Sequence, residues 1–352
     1  MSASRVPPCR IYLQPIARLP AAGAAPAIAV AGRQDLRFAA AVRIARAGER
    51  VTRTIASAEE IERAQDGELV ARISAPRAAV AGLTLQCPRL MGVLNVTPDS
   101  FSDGGCHLHP EAAIAHGLAL AREGADILDI GGESTRPGSE PVDAATELAR
   151  VLPVIEGLRG RTPALLSIDT RKAQVMRAAA AAGVDLINDV SALQHDPASL
   201  AAAAQTGLPV VLMHSRGDPR TMQENPTYAD VVLDVYDALE ARIAHCERAG
   251  IARARLIVDP GIGFGKTLAH NLALLGGLSI LHGLGCALLL GASRKSFIGD
   301  STGAGPAERL PGSLAAALAG IAQGVQILRV HDVAATRQAV ALWEAMANAG
   351  HR

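Results

Sequence analysis

The amino-acid sequence predicts an α/β protein built on a (β/α)8 TIM barrel with a small N-terminal appendage. From residue 90 onward, apolar runs of strand length alternate with helical patterns at a regular pitch, which is typical of βαβ units in a parallel sheet. Eight such runs over roughly 260 residues match the usual size of a barrel of eight strand–helix units. The predicted strands are residues 90–95, 126–131, 164–169, 185–189, 209–214, 256–259, 287–292 and 326–330.

Helical patterns fill the intervals between these strands. Pro110 opens one at residues 110–123, and Gly183 follows an alanine-rich one at residues 172–182. Further helices are expected at residues 306–323 and 333–347. A doubly wound sheet, built from the same unit, is the alternative fold. It is disfavoured because no G-x-G-x-x-G follows the first strand and polar motifs follow nearly every strand.

Residues 1–88 differ in kind from the barrel domain, residues 89–352. Strands are expected at residues 10–13 and 40–45, and a charged helical piece at 57–65, but no motif there carries chemistry. We expect an appendage that covers the closed bottom of the barrel or aids dimerisation. Its candidate apolar residues, expected to pack against the barrel, are Ile11, Leu13, Phe38 and Val42.

Composition excludes several classes of partner. The 34 Lys and Arg residues balance 34 Asp and Glu, so no global basic field would collect nucleic acid or anionic lipid. No apolar run approaches the roughly 20 residues of a membrane span. The five cysteines are scattered without a CxxC, which argues against zinc or a disulfide framework and favours a reducing, cytoplasmic location. A cleaved targeting peptide is the alternative for the N-terminus, but Pro20 and Pro26 interrupt the alanine-rich stretch at 19–32.

Polar residues end three of the predicted strands: Asp169, Asn188 and Asp259. A single Asp in such a place is more often a helix N-cap. Three together, converging on a barrel mouth, can donate and accept along the edge of a heterocycle with an amidine-like face. The glycine-rich segment 261–267 is not a P-loop, because Pro260 stands where that motif requires Gly. Its glycines instead allow Asp259 and Phe264 to approach a flat ligand.

An anion site is predicted after the last two strands. Arg329 and His331 alternate along a strand and point to the same side, where barrels commonly bind phosphate. The Ser-Arg-Lys-Ser motif at 293–296, opening a helix, adds the cation of Lys295 and free backbone N–H groups. With a diphosphate present, Asn95 could complete the shell of a Mg²⁺ ion, the one cofactor expected.

Two polar segments containing Pro and Gly, residues 97–105 and 134–138, follow the first two strands. They are either ordinary connecting loops or mobile lids. The placement of Asp99, Asp103 and Arg136 beside small residues favours lids.

Four of these motifs together resemble dihydropteroate synthases: MGVLNVTPDSFSDGG at 91–105, DIGGESTRPG at 129–138, SRKS at 293–296 and RVHD at 329–332. LMH at 212–214 and GDPRTMQ at 217–223 fit the same family, so the resemblance covers residues 90–345. It implies a (β/α)8 barrel, usually a homodimer, that joins 6-hydroxymethyl-7,8-dihydropterin diphosphate to 4-aminobenzoate in folate synthesis and releases diphosphate. Only Ile262 departs from the pattern, since the family often has an aromatic residue there.

The resemblance also implies a role for each matching residue. Asp169, Asn188 and Asp259 would grip the pterin edge, with Met213, Phe264 and Lys295 against its ring. Asn95, Arg329 and His331 would hold the diphosphate and Mg²⁺. Asp103, Thr135 and Arg136 would close over the second site, where Ser293 would meet the aminobenzoate carboxylate. Lys295, Arg329, His331, Asp103 and Arg136 are the predicted catalytic residues.

Two other functions share part of this pattern. A pterin-binding domain that passes a folate methyl group to a corrinoid would keep the pterin-edge residues but would not need the three motifs at 134–138, 293–296 and 329–331 together. A non-catalytic pterin-binding paralogue would be expected to have damaged lids, and the lid motifs are intact. A synthase needs no strong general base, because an aromatic amine is a free nucleophile at neutral pH.

Overall fold

Two small antiparallel sheets and two short helices precede the barrel in a computed structural model of the chain, which describes residues 9–17, 27–33, 35–64, 66–97, 110–134, 140–217 and 222–349. One sheet has the strand order β1-β4-β5 and the other pairs β2 with β3. The elements are β1 (Arg10–Pro15), β2 (Ile28–Ala29), β3 (Arg37–Phe38), β4 (Ala40–Ala47), β5 (Arg50–Ser57), α1 (Ala58–Arg63) and α2 (Gly67–Ser74).

Eight parallel strands then close into a barrel, in the order β6 to β13 around the ring, with β13 pairing back to β6. The strands β7 and β9 to β12 are buried at every residue, as expected of parallel strands covered on both faces. The predicted (β/α)8 barrel is confirmed. Its strands are β6 (Arg89–Asn95), β7 (Ile127–Gly131), β8 (Leu165–Asp169), β9 (Leu186–Asp189), β10 (Val210–Met213), β11 (Leu256–Asp259), β12 (Ala287–Leu290) and β13 (Ile327–Val330).

Helices on the outside of the barrel follow the strands. They are α3 (Pro110–Arg122), α4 (Ala144–Leu158), α5 (Ala173–Ala182), α6 (Ser199–Thr206), α7 (Val231–Arg248), α8 (Leu268–Gly276), α9 (Ser296–Thr302), α10 (Leu310–Ala322) and α11 (Val333–Ala349). The predicted helix at 306–323 is divided into a 3-10 turn, Pro306–Glu308, and α10, because Pro311 fits only in a first helical turn. Within the described residues, none of the helices has the length and apolar character needed to cross a membrane.

The bottom of the barrel is filled by the segment that leads into β6. Val80 and Leu85 are buried there, with Leu83 packed beside them, and a single bridge pairs Val80 with Leu83. They belong to one apolar cluster with residues of the barrel strands. These strand residues are Met91, Ile127, Leu186, Val211, Ile257, Ala287, Leu289 and Ile327. Part of the N-terminal region therefore does close the bottom.

The three-stranded sheet of the appendage has two buried faces. Tyr12 and Ile44 belong to the main core, with Val42 packed against it, so this face covers the barrel as expected for Val42. Leu13 and Phe38 instead lie in a separate small core with Ile61 of α1 and Ile73 of α2. The expectation that Leu13 and Phe38 pack on the barrel is wrong, because successive strand residues point to opposite faces and α1 and α2 cover the second face.

Candidate active site

Five charged or amide side chains meet at the C-terminal ends of the barrel strands. Asp169 and Asp259 are the last residues of β8 and β11, as predicted, and Asn188 is the third residue of β9. Asp129 lies inside β7 and Arg329 inside β13. The three aspartates and Asn188 are buried, so their polar atoms require partners within the site.

Arg329 joins this group into one network. Its Nε donates to Asp129 Oδ2 at 2.6 Å, and its Nη2 donates to Asp169 Oδ2 at 2.7 Å. Asn188 Nδ2 donates to the same oxygen of Asp129 at 2.9 Å. Asp129 Oδ1 is buried with no hydrogen-bond partner among the described residues, so it leaves an acceptor for a ligand.

Burial shifts the pKa of two of these carboxyl groups, those of Asp169 and Asp259. It raises the pKa of Asp169 to about 7, opposed by the charge of Arg329 and assisted by that of Asp129. Burial also raises the pKa of Asp259, opposed by Lys295 and by the N–H of Gly261, which donates to Asp259 Oδ1 at 2.7 Å. Burial alone would lower the pKa of Arg329, but the carboxylates of Asp129 and Asp169 raise it, so Arg329 is a fixed cation.

Lys295 supplies the second cation of the site. It precedes α9, and its Nζ donates to the carbonyl of Ile262 and lies 4.7 Å from the centre of the Phe264 ring. A Cβ at Gly291 would lie 3.7 Å from Asp259 Oδ2 and 3.8 Å from Lys295 Nζ. The two charged groups therefore both lie close to Gly291. Burial lowers the pKa of Lys295 to about 8, opposed by Asp259.

The glycine-rich turn after β11 approaches other backbone too closely for side chains. Gly261 has φ +67°, and a Cβ there would lie 1.9 Å from the carbonyl oxygen of His214. Lys266 closes the turn by donating to the carbonyls of Phe264 at 2.9 Å and His214 at 3.2 Å. This brings Phe264 next to Lys295. Ile262 is fully buried in the main core.

Ser293 and His331 form a contact beside the network. Ser293 Oγ accepts from the backbone N–H of His331 at 3.2 Å and lies 3.1 Å from its Nδ1. Arg294, between Ser293 and Lys295, turns away at φ +57° and pairs with Asp332. Ser293 and Lys295 of the motif at 293–296 therefore face the mouth, whereas Arg294 stabilises the loop through its ion pair with Asp332.

Asn95 ends β6 next to Asp169. A Cβ at Gly131 would lie 3.8 Å from both Asn95 Oδ1 and Asp169 Oδ2, so these two oxygens converge over the end of β7. Among the described residues, no group of three or more His, Cys, Asp or Glu side chains could hold a metal ion by itself. Any cation at Asn95 would need most of its oxygen ligands from a substrate and water.

A cleft of about 240 Å³ opens beside Phe264. Its walls are the segments that follow β8, β9, β10 and β11. The lining residues are Arg171, Val190, Ser191, Gln194, His195, Ser215, Gly217, Met222 and Phe264. Met213, the last residue of β10, is buried next to Gly261 and joins this wall to the site.

Comparison with known proteins gives the family. A sequence model described as pterin binding enzyme matches residues 91–331. The dihydropteroate synthase of Escherichia coli K12 is 49% identical over 267 residues, 76% of this chain and 94% of that protein. That of Neisseria meningitidis serogroup B is 51% identical over 269 residues, 74% of this chain and 94% of that protein. The chain belongs to the dihydropteroate synthase family.

Solved structures of the family have the same barrel. The Xanthomonas albilineans dihydropteroate synthase with 4-aminobenzoic acid is 54% identical, with a TM-score of 0.72, covering 77% of this chain and 98% of that one. The Yersinia pestis dihydropteroate synthase with a sulfonamide drug is 49% identical, also with a TM-score of 0.72, covering 76% and 98%. The sequence-based expectation of a dihydropteroate synthase, a transferase of folate biosynthesis, is confirmed.

The structure brings most of the predicted residues together, and it adds two. Asp103, Thr135 and Arg136 lie outside the described residues. Asp129 and Lys266 were not predicted to belong to the site. Asp129 could have been found as a charged residue within the apolar strand DILDIG, two positions before Gly131 and thus on the same face. Lys266 could not, because the segment that contains it reads only as an incomplete P-loop.

Proposed function

We propose that this dihydropteroate synthase joins 6-hydroxymethyl-7,8-dihydropterin diphosphate to 4-aminobenzoate. The observation that supports this proposal is the network in which Asp129, Asp169, Asn188 and Arg329 share buried hydrogen bonds beside Asp259 and Lys295. Two structures of the Xanthomonas albilineans relative, one with 4-aminobenzoic acid and one with 7,8-dihydropteroate, add support.

The pterin would bind deepest in the barrel. Its amidine-like edge carries several donors and acceptors, which Asp169, Asn188 and Asp259 can match. Met213 and Phe264 would pack against the ring, and Lys295 would contact it. A wrong heterocycle would leave buried polar groups unpaired, so this pocket is selective as well as tight.

The diphosphate would lie toward Asn95, Arg329 and His331. Arg329 is a permanent cation there, and Lys295 carries a charge below about pH 8. Asn95 would hold a Mg²⁺ ion, with the diphosphate and water supplying the remaining oxygens, and the ion would neutralise charge on the leaving group. Arg329 and His331 would orient the diphosphate for departure.

The reaction would then consist of departure and attack. Stabilised by Arg329 and Lys295, the diphosphate leaves with the electrons of its C–O bond, and the electron-rich dihydropterin stabilises the methylene cation. The amine of 4-aminobenzoate forms the new C–N bond and loses a proton to water. Ser293 would bind the aminobenzoate carboxylate, while Asp103, Thr135 and Arg136 would close over this second site.

We propose a homodimer as the working form. Three large apolar side chains are exposed on α8 and α11, between which α10 packs: Leu272, Leu342 and Met346. These side chains would lie in the proposed interface between the two copies. We also propose a cytoplasmic location, because the described cysteines, Cys9, Cys87, Cys246 and Cys286, form no disulfide.

A coupling assay tests the proposed reaction. Purified protein, pterin diphosphate, 4-aminobenzoate and Mg²⁺ should yield dihydropteroate and diphosphate in equal amounts, and chelation of the metal should suppress the yield. A pterin-binding paralogue would bind the pterin without product. A methyltransferase domain would bind a methylated folate and leave aminobenzoate unchanged. Either result would overturn the proposed reaction.

A further inference from the structure

One face of α7 is acidic, and arginines of the N-terminal appendage cover it. Asp230 caps the helix, and Asp234, Asp237 and Glu240 follow at helical spacing. The pairs run along the helix from its N-terminus, at the barrel mouth, toward the bottom. They are Arg53 with Asp230, Arg46 with Asp234 at 2.8 Å, Arg10 with Asp237 at 3.0 Å, and Arg72 with Glu240 at 3.7 Å.

The two upper carboxylates also hold backbone at the start of α7. Asp230 Oδ1 accepts from two N–H groups of the first helical turn, at 3.1 and 3.2 Å. Asp234 Oδ2 accepts from the N–H groups of Ala229 at 2.9 Å and Asp230 at 3.3 Å. Arg53 and Arg46 therefore bind the two side chains that fix where the segment after β10 enters the helix. Arg10 and Arg72 bind carboxylates well inside the helix.

The segment that ends there, residues 222–229, lies on the glycine-rich turn. Gln223 Nε2 donates to the carbonyl of Gly263 at 2.5 Å, and the Tyr228 hydroxyl donates to the carbonyl of Gly265 at 2.8 Å. That turn carries Phe264 and the carbonyl that accepts from Lys295. A chain of direct contacts thus leads from the appendage to the ring and cation of the active site.

We propose that Arg46 and Arg53 are positioning residues for the synthase reaction: through Asp234 and Asp230 they hold residues 222–229 on the glycine-rich turn. The family match begins at residue 91, so both arginines lie outside the part of the chain matched by the family model. The appendage is then a working part of the active-site wall. This inference rests on the proposed function for its kinetic readout only.

Four variants test the proposal. The upper pair, Arg46→Ala with Arg53→Ala, removes the contacts to Asp230 and Asp234, together with a longer one from Arg46 to Asp237 at 3.5 Å. The matched lower pair, Arg10→Ala with Arg72→Ala, removes the remaining arginine contacts to Asp237 and Glu240. Amide hydrogen exchange in residues 222–229 should become about tenfold faster in the upper pair and remain unchanged in the lower pair. The upper pair should also raise KM for the pterin diphosphate roughly threefold with a smaller change in kcat, because the turn carries Phe264 and the carbonyl that accepts from Lys295.

Equal exchange rates in the two pairs would overturn the proposal, as would an unchanged KM in an upper pair with full coupling activity. The exchange measurement needs no substrate, so it stands even if the wild-type chain fails the coupling assay. If the double variant folds poorly, the exchange measurement is made on Arg53→Ala alone, which should fold because this side chain is 48% exposed. Arg46→Lys with Arg53→Lys should restore part of the exchange protection, since the charges remain.

Discussion

Asp129 and Arg329 form an ion pair of 2.6 Å inside the barrel mouth, where the Asp129 side chain is fully buried. Leaving a buried charge unpaired is costly, so Asp129 holds the guanidinium in place before any substrate arrives. Asp169 accepts from the other side of the same guanidinium. The cation proposed to bind diphosphate is thereby tied to the carboxylate proposed to bind pterin, and the two halves of one substrate are recognised by one network.

Removing either pterin carboxylate should impair the enzyme strongly. Asp169→Ala or Asp259→Ala would leave one side of the heterocycle unpaired, so we expect a loss of roughly 2–4 kcal/mol in transition-state stabilisation, measured as kcat/KM. Glu59→Ala is a suitable control, because Glu59 lies on the exposed surface of the appendage, where it pairs with Arg63. A loss below about threefold in either Asp variant would contradict the assigned role.

The activity should depend on the charge of Lys295. Its pKa is lowered to about 8, so the ammonium loses its proton as the pH rises through that value. We expect kcat/KM for the pterin diphosphate to fall about tenfold per pH unit above about pH 8. Lys295→Arg should be slower but should lack this fall, because a guanidinium stays charged. A flat wild-type profile to pH 9.5 would exclude Lys295 as the required cation.

Two glycines separate the cost of a positive φ from the cost of a close contact. Gly207 has φ +72° with open space around its missing side chain, whereas a Cβ at Gly261 would strike the His214 carbonyl. We expect Gly207→Ala to lower the free energy of unfolding by roughly 1–2 kcal/mol, from backbone strain alone. Gly261→Ala should cost roughly 3 kcal/mol or more and should also reduce pterin binding. Equal costs in urea denaturation would show that the turn can move freely.

Truncation distinguishes the two parts of the N-terminal region. A chain that begins at residue 79 keeps Val80, Leu83 and Leu85 beneath the barrel, whereas a chain that begins at residue 87 loses them. From the apolar surface involved, we expect the shorter chain to be less stable by roughly 3–6 kcal/mol, measured by denaturation. Where a truncated chain folds, pterin affinity should stay within a few-fold, because the pterin residues lie beyond residue 90. Loss of pterin binding by a folded chain would contradict this division of the protein.

The barrel was predictable because parallel strands covered on both faces require continuous apolar runs, and five of the eight predicted runs end in Asn, Asp or His. The strand β5 could not be predicted, since most of its residues are exposed and its sequence shows no alternation of apolar and polar residues. The orientation of Leu13 also escaped prediction. Period-two alternation places Tyr12 and Leu13 on opposite faces, but it does not reveal which face meets the barrel.

Some residues of the site could likewise be predicted from the sequence, and others could not. Asp169 and Asp259 were predictable because they end their strands, where barrel sites are built. Asp129 lies two residues inside β7, and only the closed barrel shows that Arg329, from six strands later in the chain, reaches it. The charge pairs between α7 and the appendage could not be predicted from the sequence, since the arginines come from four elements and none of them belongs to a motif.

The apolar packing of Val80, Leu83 and Leu85 under the barrel determines the route by which substrates enter and product leaves. With that end blocked by side chains, both substrates must enter, and the product must leave, through the opposite opening. Asp129 and Asn188 lie within their strands, whereas Ser293 lies three residues beyond the end of β12, so the proposed pterin position is the deeper one. Aminobenzoate bound first in its proposed position would lie between the opening and the proposed pterin position. We therefore expect pterin to bind before aminobenzoate, and dihydropteroate to leave before the next pterin enters.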